Sequence, residues 1–151
     1  MQFSDMIVRL IVAIILAGAI GYEREYRHKP SGMRTNMLVG LGTALITIVS
    51  LEIVRQEGAT SATDISRIIS SVLPGIGFIG AGMIIQSRGH VQGLTTAASL
   101  WLVAGIGITV GMGMFALATV ATVLGLIALV LLRSVHVEDS EENTISKKLL
   151  N

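Results

Sequence analysis

Four stretches of the chain are apolar and almost free of charge. The stretch Met6–Tyr22 contains one charged residue, Arg9, whereas residues 36–51, 68–86 and 94–132 contain none. A helix needs about 20 apolar residues to cross a bilayer. The last stretch has 39 residues, which is too long for one crossing. We expect it to turn back at Gly111-Met112-Gly113, because glycine permits a tight turn at low steric cost.

The pattern therefore predicts an all-α integral membrane protein, built as a bundle of five transmembrane helices within residues 1–133. A β-barrel is disfavoured because barrel strands alternate apolar and polar residues, whereas these stretches are continuously apolar. Residues 134–151 are polar and too few to build a core, so we interpret them as a short cytoplasmic tail. The expected spans are about 3–22, 34–54, 65–86, 94–111 and 114–133.

The third span contains Pro74-Gly75, which predicts a broken or kinked helix because proline removes a backbone donor. Its GxGxxG pattern also occurs in dinucleotide-binding turns, but these need an acidic residue about 20 positions later. This chain has Leu100 and Trp101 there. Two interpretations stay open: a functional break that lines a cavity or an ion site, or a crease that only serves packing.

Small residues recur four positions apart in four of the spans, at Ala17–Gly21, Gly40–Ala44, Gly77–Ala81 and Gly107–Gly111. Helices in lipid associate through close contact, which small residues allow. The pairs therefore predict packing inside the bundle or between two copies of a homodimer. The residues that we assign to the helix break or to packing are Pro74, Gly75, Gly77, Gly80, Gly82, Gly107 and Gly111.

Composition narrows the possible functions. Hydrophobic residues make up 52% of the chain and charged residues 14%, with a mean hydropathy of +0.74, whereas soluble domains carry roughly 25% charged residues. This excludes a soluble enzyme, a disordered chain and a nucleic-acid binder. The chain has no cysteine, its three histidines are scattered, and no nucleophile lies beside a base. We therefore expect no enzyme activity and no cofactor beyond weak Mg²⁺ binding.

The distribution of Lys and Arg predicts the orientation in the membrane. Cytoplasmic loops of membrane proteins carry an excess of these residues. Eight of the 11 lie in the first loop, the third loop and the tail, and the other three lie on the opposite side. The N-terminus is therefore expected outside the cell and the C-terminus in the cytoplasm. Arg9, near the outer end of the first span, is expected to snorkel to the membrane surface.

Polar residues gather at the expected cytoplasmic ends of the first, second and fourth spans. Glu23 lies four residues before Arg27, so the two can pair on one helix face. Hydroxyl groups at the start of the fourth span can cap the helix or bind a hard cation weakly. The alternative is an ordinary charged loop with an internal salt bridge. The residues of this candidate cluster are Glu23, Arg24, Glu25, Arg34, Asn36, Thr95, Thr96 and Ser99.

These residues resemble the MgtC/SapB family of bacterial inner-membrane proteins. The resemblance lies in four motifs in the family's order: residues 21–25 (GYERE), 29–36 (KPSGMRTN), 74–82 (PGIGFIGAG) and 91–101 (VQGLTTAASLW). It implies a hydrophobic domain of about five spans and an association with magnesium transport and growth at low magnesium. It also implies a role in modulating other membrane proteins, including the ATP synthase.

Two hypotheses follow. The first is a regulatory protein of the bacterial inner membrane that binds a membrane protein partner through a glycine-lined face. The second is a magnesium or proton transporter or channel component that uses Glu23, Glu25 or the break at Pro74. The first is favoured because no acidic residue lies at mid-membrane, where an ion pathway needs oxygen ligands. Longer family members carry a soluble C-terminal domain, and we expect only the short tail here.

Overall fold

The computed structural model describes residues 1–57, 65–87 and 90–131. Five helices and one small hairpin make up this part of the chain. The structure is mainly α-helical, as predicted, but the hairpin between the third and fourth helices was not predicted. The elements are α1 (Phe3–Tyr26), α2 (Met33–Glu57), α3 (Ile65–Met83), β1 (Ile85–Ser87), β2 (His90–Gln92), α4 (Leu94–Gly111) and α5 (Phe115–Leu131).

The lengths and the apolar composition of the helices are typical of a membrane protein. Three of the helices are long and apolar enough to cross a bilayer, over Phe3–Tyr26, Met33–Gln56 and Leu94–Gly111. Two shorter apolar segments, Ser70–Met83 and Phe115–Leu131, accompany them. The antiparallel hairpin pairs Ile85 with Gln92 and Ser87 with His90, and it leads α3 directly into α4.

The core lies where α1, α2 and α4 meet, with α3 and α5 packed against them. Its buried apolar side chains are mostly small or β-branched, and they include Ala13, Ala17, Ala44, Val103 and Val110. Hydroxyl groups are also buried there, on Thr43, Thr47 and Ser50. Each donates a hydrogen bond of 3.0 Å or less to a carbonyl one turn earlier in α2, which satisfies the hydroxyl where water is absent.

Small residues bring the three central helices into backbone contact. A Cβ atom added to Gly40 would lie 2.5 Å from the Cβ of Ala17, and one added to Gly107 would lie 2.5 Å from the carbonyl oxygen of Gly40. One added to Gly111 would lie 2.7 Å from the Cβ of Thr47. The small residues of α1, α2 and α4 therefore pack inside the bundle, which was one of the two predicted uses.

The outer surface is more apolar than a soluble protein allows. Along α5 the exposed side chains include Leu117, Val120, Leu124, Ile127 and Leu131. Soluble monomers rarely expose a continuous apolar face of this length. In a bilayer such a face is in contact with lipid tails, and burial of small residues inside the bundle provides close packing.

The structure corrects one expectation, confirms another and leaves others open. Helix α3 runs without interruption through Pro74, so the helix is not broken there, and the alternative of a kink at Pro74-Gly75 stays a prediction. Arg9 is bonded to Gly111 and Asp5 at one end of the bundle, and its side chain is 14% exposed; its position relative to the membrane surface stays a prediction. The predicted turn after α4 is confirmed, with Gly113 at φ +83°. The tail, residues 134–151, lies outside the described residues.

Candidate functional site

The last turns of α1 hold a buried ion pair. Helix α1 continues to Tyr26, four residues beyond the predicted end, so Glu23 and Arg24 belong to it. Their side chains are 9% and 6% exposed, and Arg24 Nε lies 2.7 Å from Glu23 Oε2. The other carboxylate oxygen of Glu23 lies 3.7 Å from Arg27 Nε, which confirms the predicted pair. Glu23 is thus shared between two arginines.

The connection from α1 to α2 is fixed by two polar side chains. Glu25 Oε2 accepts a hydrogen bond of 2.8 Å from the backbone N–H of Met33, the first residue of α2. The carboxylate thereby satisfies one of the helix's free donors and lies at the positive end of its dipole. Gly32 packs against this carboxylate, because an added Cβ would lie 2.8 Å from the same oxygen.

Asn36 lies in the first turn of α2 and stabilises the turn that precedes this helix. Its side chain is fully buried, and its Nδ2 donates to the carbonyl oxygens of Ser31 and Gly32 at 2.7 and 2.9 Å. Ser31 has a positive φ of +64°, a conformation that costs energy for a residue with a side chain. The amide of Asn36 holds this backbone in place. Its Oδ1 is enclosed and has no partner among the described residues.

Helix α4 begins beside this end of α1. Its N-cap, Gly93, adopts a left-handed conformation with φ +91°, and an added Cβ would overlap the carbonyl oxygen of Met83. Thr96 and Ser99 are buried, and the hydroxyl of Ser99 donates to the Thr96 carbonyl at 2.8 Å. Thr95 is exposed. A cavity of about 790 Å³ is lined by both threonines, Arg24 and Lys29.

The structure therefore divides the predicted cluster into three groups. Glu23, Glu25 and Asn36 stabilise the ends of α1 and α2. Arg24, Thr95 and Thr96 face a common cavity, with Ser99 buried one turn further along α4. Arg34 is exposed and takes no part in these contacts.

Three of the four predicted glycines of α3 have no close neighbour among the described residues, whereas the fourth, Gly80, is buried against α4. An added Cβ at Gly75, Gly77 or Gly82 would meet no atom within 4 Å, whereas one at Gly80 would contact Ala97 at 3.5 Å. Pro74 is exposed. The side chain of Phe78 is 82% exposed. Within residues 1–57, 65–87 and 90–131, nothing covers this part of α3.

A second polar group lies at the opposite end of the bundle, and the sequence reasoning missed its role. Arg9 Nη1 donates to the carbonyl oxygen of Gly111 at 2.6 Å, and Nη2 pairs with Asp5 at 3.0 Å. Gly111 ends α4, where carbonyl groups have no helical partner and a cation is favourable. The spacing of four between Asp5 and Arg9 was a signal that could have indicated the ion pair.

Comparison with known proteins decides the family. The sequence profile described as the MgtC family matches residues 10–137, which include the cluster around Glu23 and α2 to α5 in full, together with α1 from Leu10 onward. The chain belongs to the MgtC family. The protein MgtC of Salmonella typhimurium is 42% identical to it over 133 residues, which cover 88% of this chain and 54% of that protein.

Two other relatives have comparable sequence identity to this MgtC-family chain. A protein of Escherichia coli K12 named "Putative magnesium transporter YhiD" is 42% identical over 130 residues, which cover 83% of this chain and 60% of the relative. An uncharacterised protein of Synechocystis is 37% identical over 133 residues. The chain spans little more than half the length of these relatives. No solved structure matches it.

Proposed function

We propose that this chain is a magnesium-associated regulatory membrane protein that modulates other membrane transport or energy-coupling proteins during adaptation to low magnesium or stress, without catalysing a reaction. The observation that carries the proposal is that Glu23 and Glu25 already have partners within the protein. Glu23 is shared between Arg24 and Arg27, and Glu25 caps α2. A pathway for Mg²⁺ needs oxygen ligands that are free to replace water.

The interior of the bundle supports the same proposal. The buried hydroxyls of Thr43, Thr47, Ser50 and Thr122 each donate to a carbonyl of their own helix. Backbone contacts at Gly40 and Gly107 fill the space between the central helices. A hydrated cation needs a continuous polar passage, and close apolar packing of this kind opposes it.

The alternative is a magnesium or proton transporter, or a component of a channel. The relative from Escherichia coli whose name assigns it to magnesium transport favours this function. On this alternative Glu23 and Glu25 would exchange their present partners for the ion at the mouth of the pathway.

Reconstitution in liposomes with a trapped magnesium indicator separates the two functions. We expect no Mg²⁺ flux above that of protein-free liposomes, from protein whose orientation has been measured. The Glu23→Gln, Glu25→Gln variant should behave identically, with Glu52→Gln at the opposite end of the bundle as the control. Flux that the double variant loses and the control retains would establish the transporter instead.

We further propose that all five helices span the bacterial inner membrane, with the N-terminus outside and the C-terminus in the cytoplasm. The apolar outer face of α5 supports this, because its exposed residues extend along the helix from Leu117 to Leu131. The basic residues around the α1–α2 connection, Arg24, Arg27, Lys29 and Arg34, support a cytoplasmic location for that end.

Association with another membrane protein, or with a second copy in a homodimer, is proposed to use the outer face of α3. The glycines of the predicted small-residue pairs in the other helices, Gly21, Gly40, Gly107 and Gly111, already pack inside the bundle. Gly75, Gly77 and Gly82 leave the α3 backbone uncovered, and such surfaces allow the close approach on which helix association in lipid depends. Phe78 offers a large apolar contact on the same helix.

A further inference from the structure

The cavity between the end of α1 and the start of α4 is positively charged. It measures about 790 Å³ and includes Arg24, Lys29, Thr95, Thr96, Leu94 and Leu129 in its wall. Among the lining residues that the structure describes, two are cations and none is acidic. The cavity therefore has the electrostatic character of an anion site rather than that of a magnesium site.

Arg24 brings to the wall of this cavity hydrogen-bond donors that no other described residue uses. Its side chain is 6% exposed, and Nε is bonded to Glu23. The two Nη nitrogens make no hydrogen bond to any described residue. Arg24 is one of the residues that line the cavity. Because Glu23 is shared with Arg27, the three groups together keep a net positive charge.

The start of α4 adds backbone donors to the same wall. No side chain caps this 18-residue helix, and its N-cap is Gly93. The first N–H groups of a helix have no helical partner, and the dipole places partial positive charge there. Leu94, Thr95 and Thr96 line the cavity at this position. Backbone N–H groups and a guanidinium group are a donor set that suits phosphate oxygens.

We propose that this cavity binds a phosphate group, namely that of an anionic phospholipid headgroup. Leu94 and Leu129 place apolar surface beside the charged donors, which suits a molecule with both a headgroup and acyl chains. Basic pockets between membrane helices on the cytoplasmic side bind anionic headgroups. The proposal rests on the family's membrane location and is independent of the regulatory function proposed above.

Native mass spectrometry of the full chain in detergent tests this site, with phosphatidylglycerol titrated against phosphatidylcholine. Wild-type protein should retain phosphatidylglycerol in preference. Lys29→Gln should weaken that binding about fivefold, which corresponds to the loss of one basic contact. Arg34→Gln is the matched control, because Arg34 is an exposed cation at the same end of the bundle that does not line the cavity. Its affinity should equal that of the wild type.

The variant Thr95→Glu distinguishes a loss of lipid binding from a loss of folding. A carboxylate in the first turn of α4 stabilises the helix but repels an anion in the cavity, so binding should fall about fivefold or more with no loss of thermal stability. Equal loss of lipid in Lys29→Gln and Arg34→Gln, or unchanged binding in Thr95→Glu, would overturn the proposal. A second measurement adds inorganic phosphate at millimolar concentration to the lipid-bound protein. Displacement of the lipid would assign the site to free phosphate and contradict the proposal that a phospholipid occupies it.

Discussion

Two glycines with the same predicted role should respond differently to replacement by alanine. At Gly107 an added Cβ would overlap Thr43 Oγ1 and lie 2.5 Å from the Gly40 carbonyl oxygen. The hydroxyl of Thr43 has little freedom to move, because it lies 3.0 Å from the Val39 carbonyl oxygen to which it donates. At Gly77 an added Cβ would meet no atom within 4 Å.

The expected magnitudes follow from these contacts. Overpacking at Gly107 costs about 1–3 kcal/mol, and displacement of Thr43 loses a hydrogen bond worth about 1 kcal/mol. Replacing glycine by alanine within a helix returns about 1 kcal/mol. Gly107→Ala should therefore lower the free energy of unfolding by about 1–3 kcal/mol. Gly77→Ala should leave it unchanged or raise it by up to about 1 kcal/mol.

Reversible unfolding in mixed micelles, followed by the fluorescence of the single tryptophan, Trp101, measures both values. The larger Gly77→Leu substitution should preserve stability while weakening self-association, if α3 is the contact face. A Gly107→Ala protein as stable as the wild type would refute the reasoning, because the α2–α4 contact could then not be as close as described.

Two further predictions concern the ends of the bundle. Arg9→Gln should lower the free energy of unfolding by about 2 kcal/mol, because charged hydrogen bonds contribute roughly 1.5–3 kcal/mol and the Gly111 carbonyl loses its partner. The unfolding of this variant is compared with that of Asp5→Asn, which should lose less stability. Equal losses in the two variants would contradict the prediction. The chain has no cysteine, so the variants Arg55→Cys and Lys29→Cys can each be labelled in intact cells with a maleimide that does not cross the membrane. We expect labelling at position 55 only. Labelling at position 29 only would contradict the proposed orientation.

The helices could be predicted from the sequence because a charge-free apolar stretch has few alternatives in a membrane. The turn at Gly113 was predictable for the same reason, since 39 apolar residues must fold back. The hairpin Ile85–Gln92 was not predicted. Its strands have three residues each, and so short a segment carries no clear alternation of apolar and polar positions.

The sequence could not separate glycines that pack inside from those that face outward. Gly77 and Gly107 share the same spacing to a second small residue, yet α4 lies at the centre of the bundle and α3 at its side. That difference depends on tertiary arrangement, which a spacing of four does not encode. The partner of Arg9 was missed for a related reason, because Gly111 is 102 residues away in the sequence.

The central claim is that the protein acts by contact with other membrane proteins through α3. Replacement of Phe78 by a photo-reactive phenylalanine tests it most directly, because this side chain is 82% exposed. Leu124, which is 59% exposed on α5, serves as the control position. After irradiation of intact cells we predict a covalent adduct with a different membrane protein from position 78 and not from position 124. Adducts with lipid alone, or equal adducts from both positions, would contradict the account.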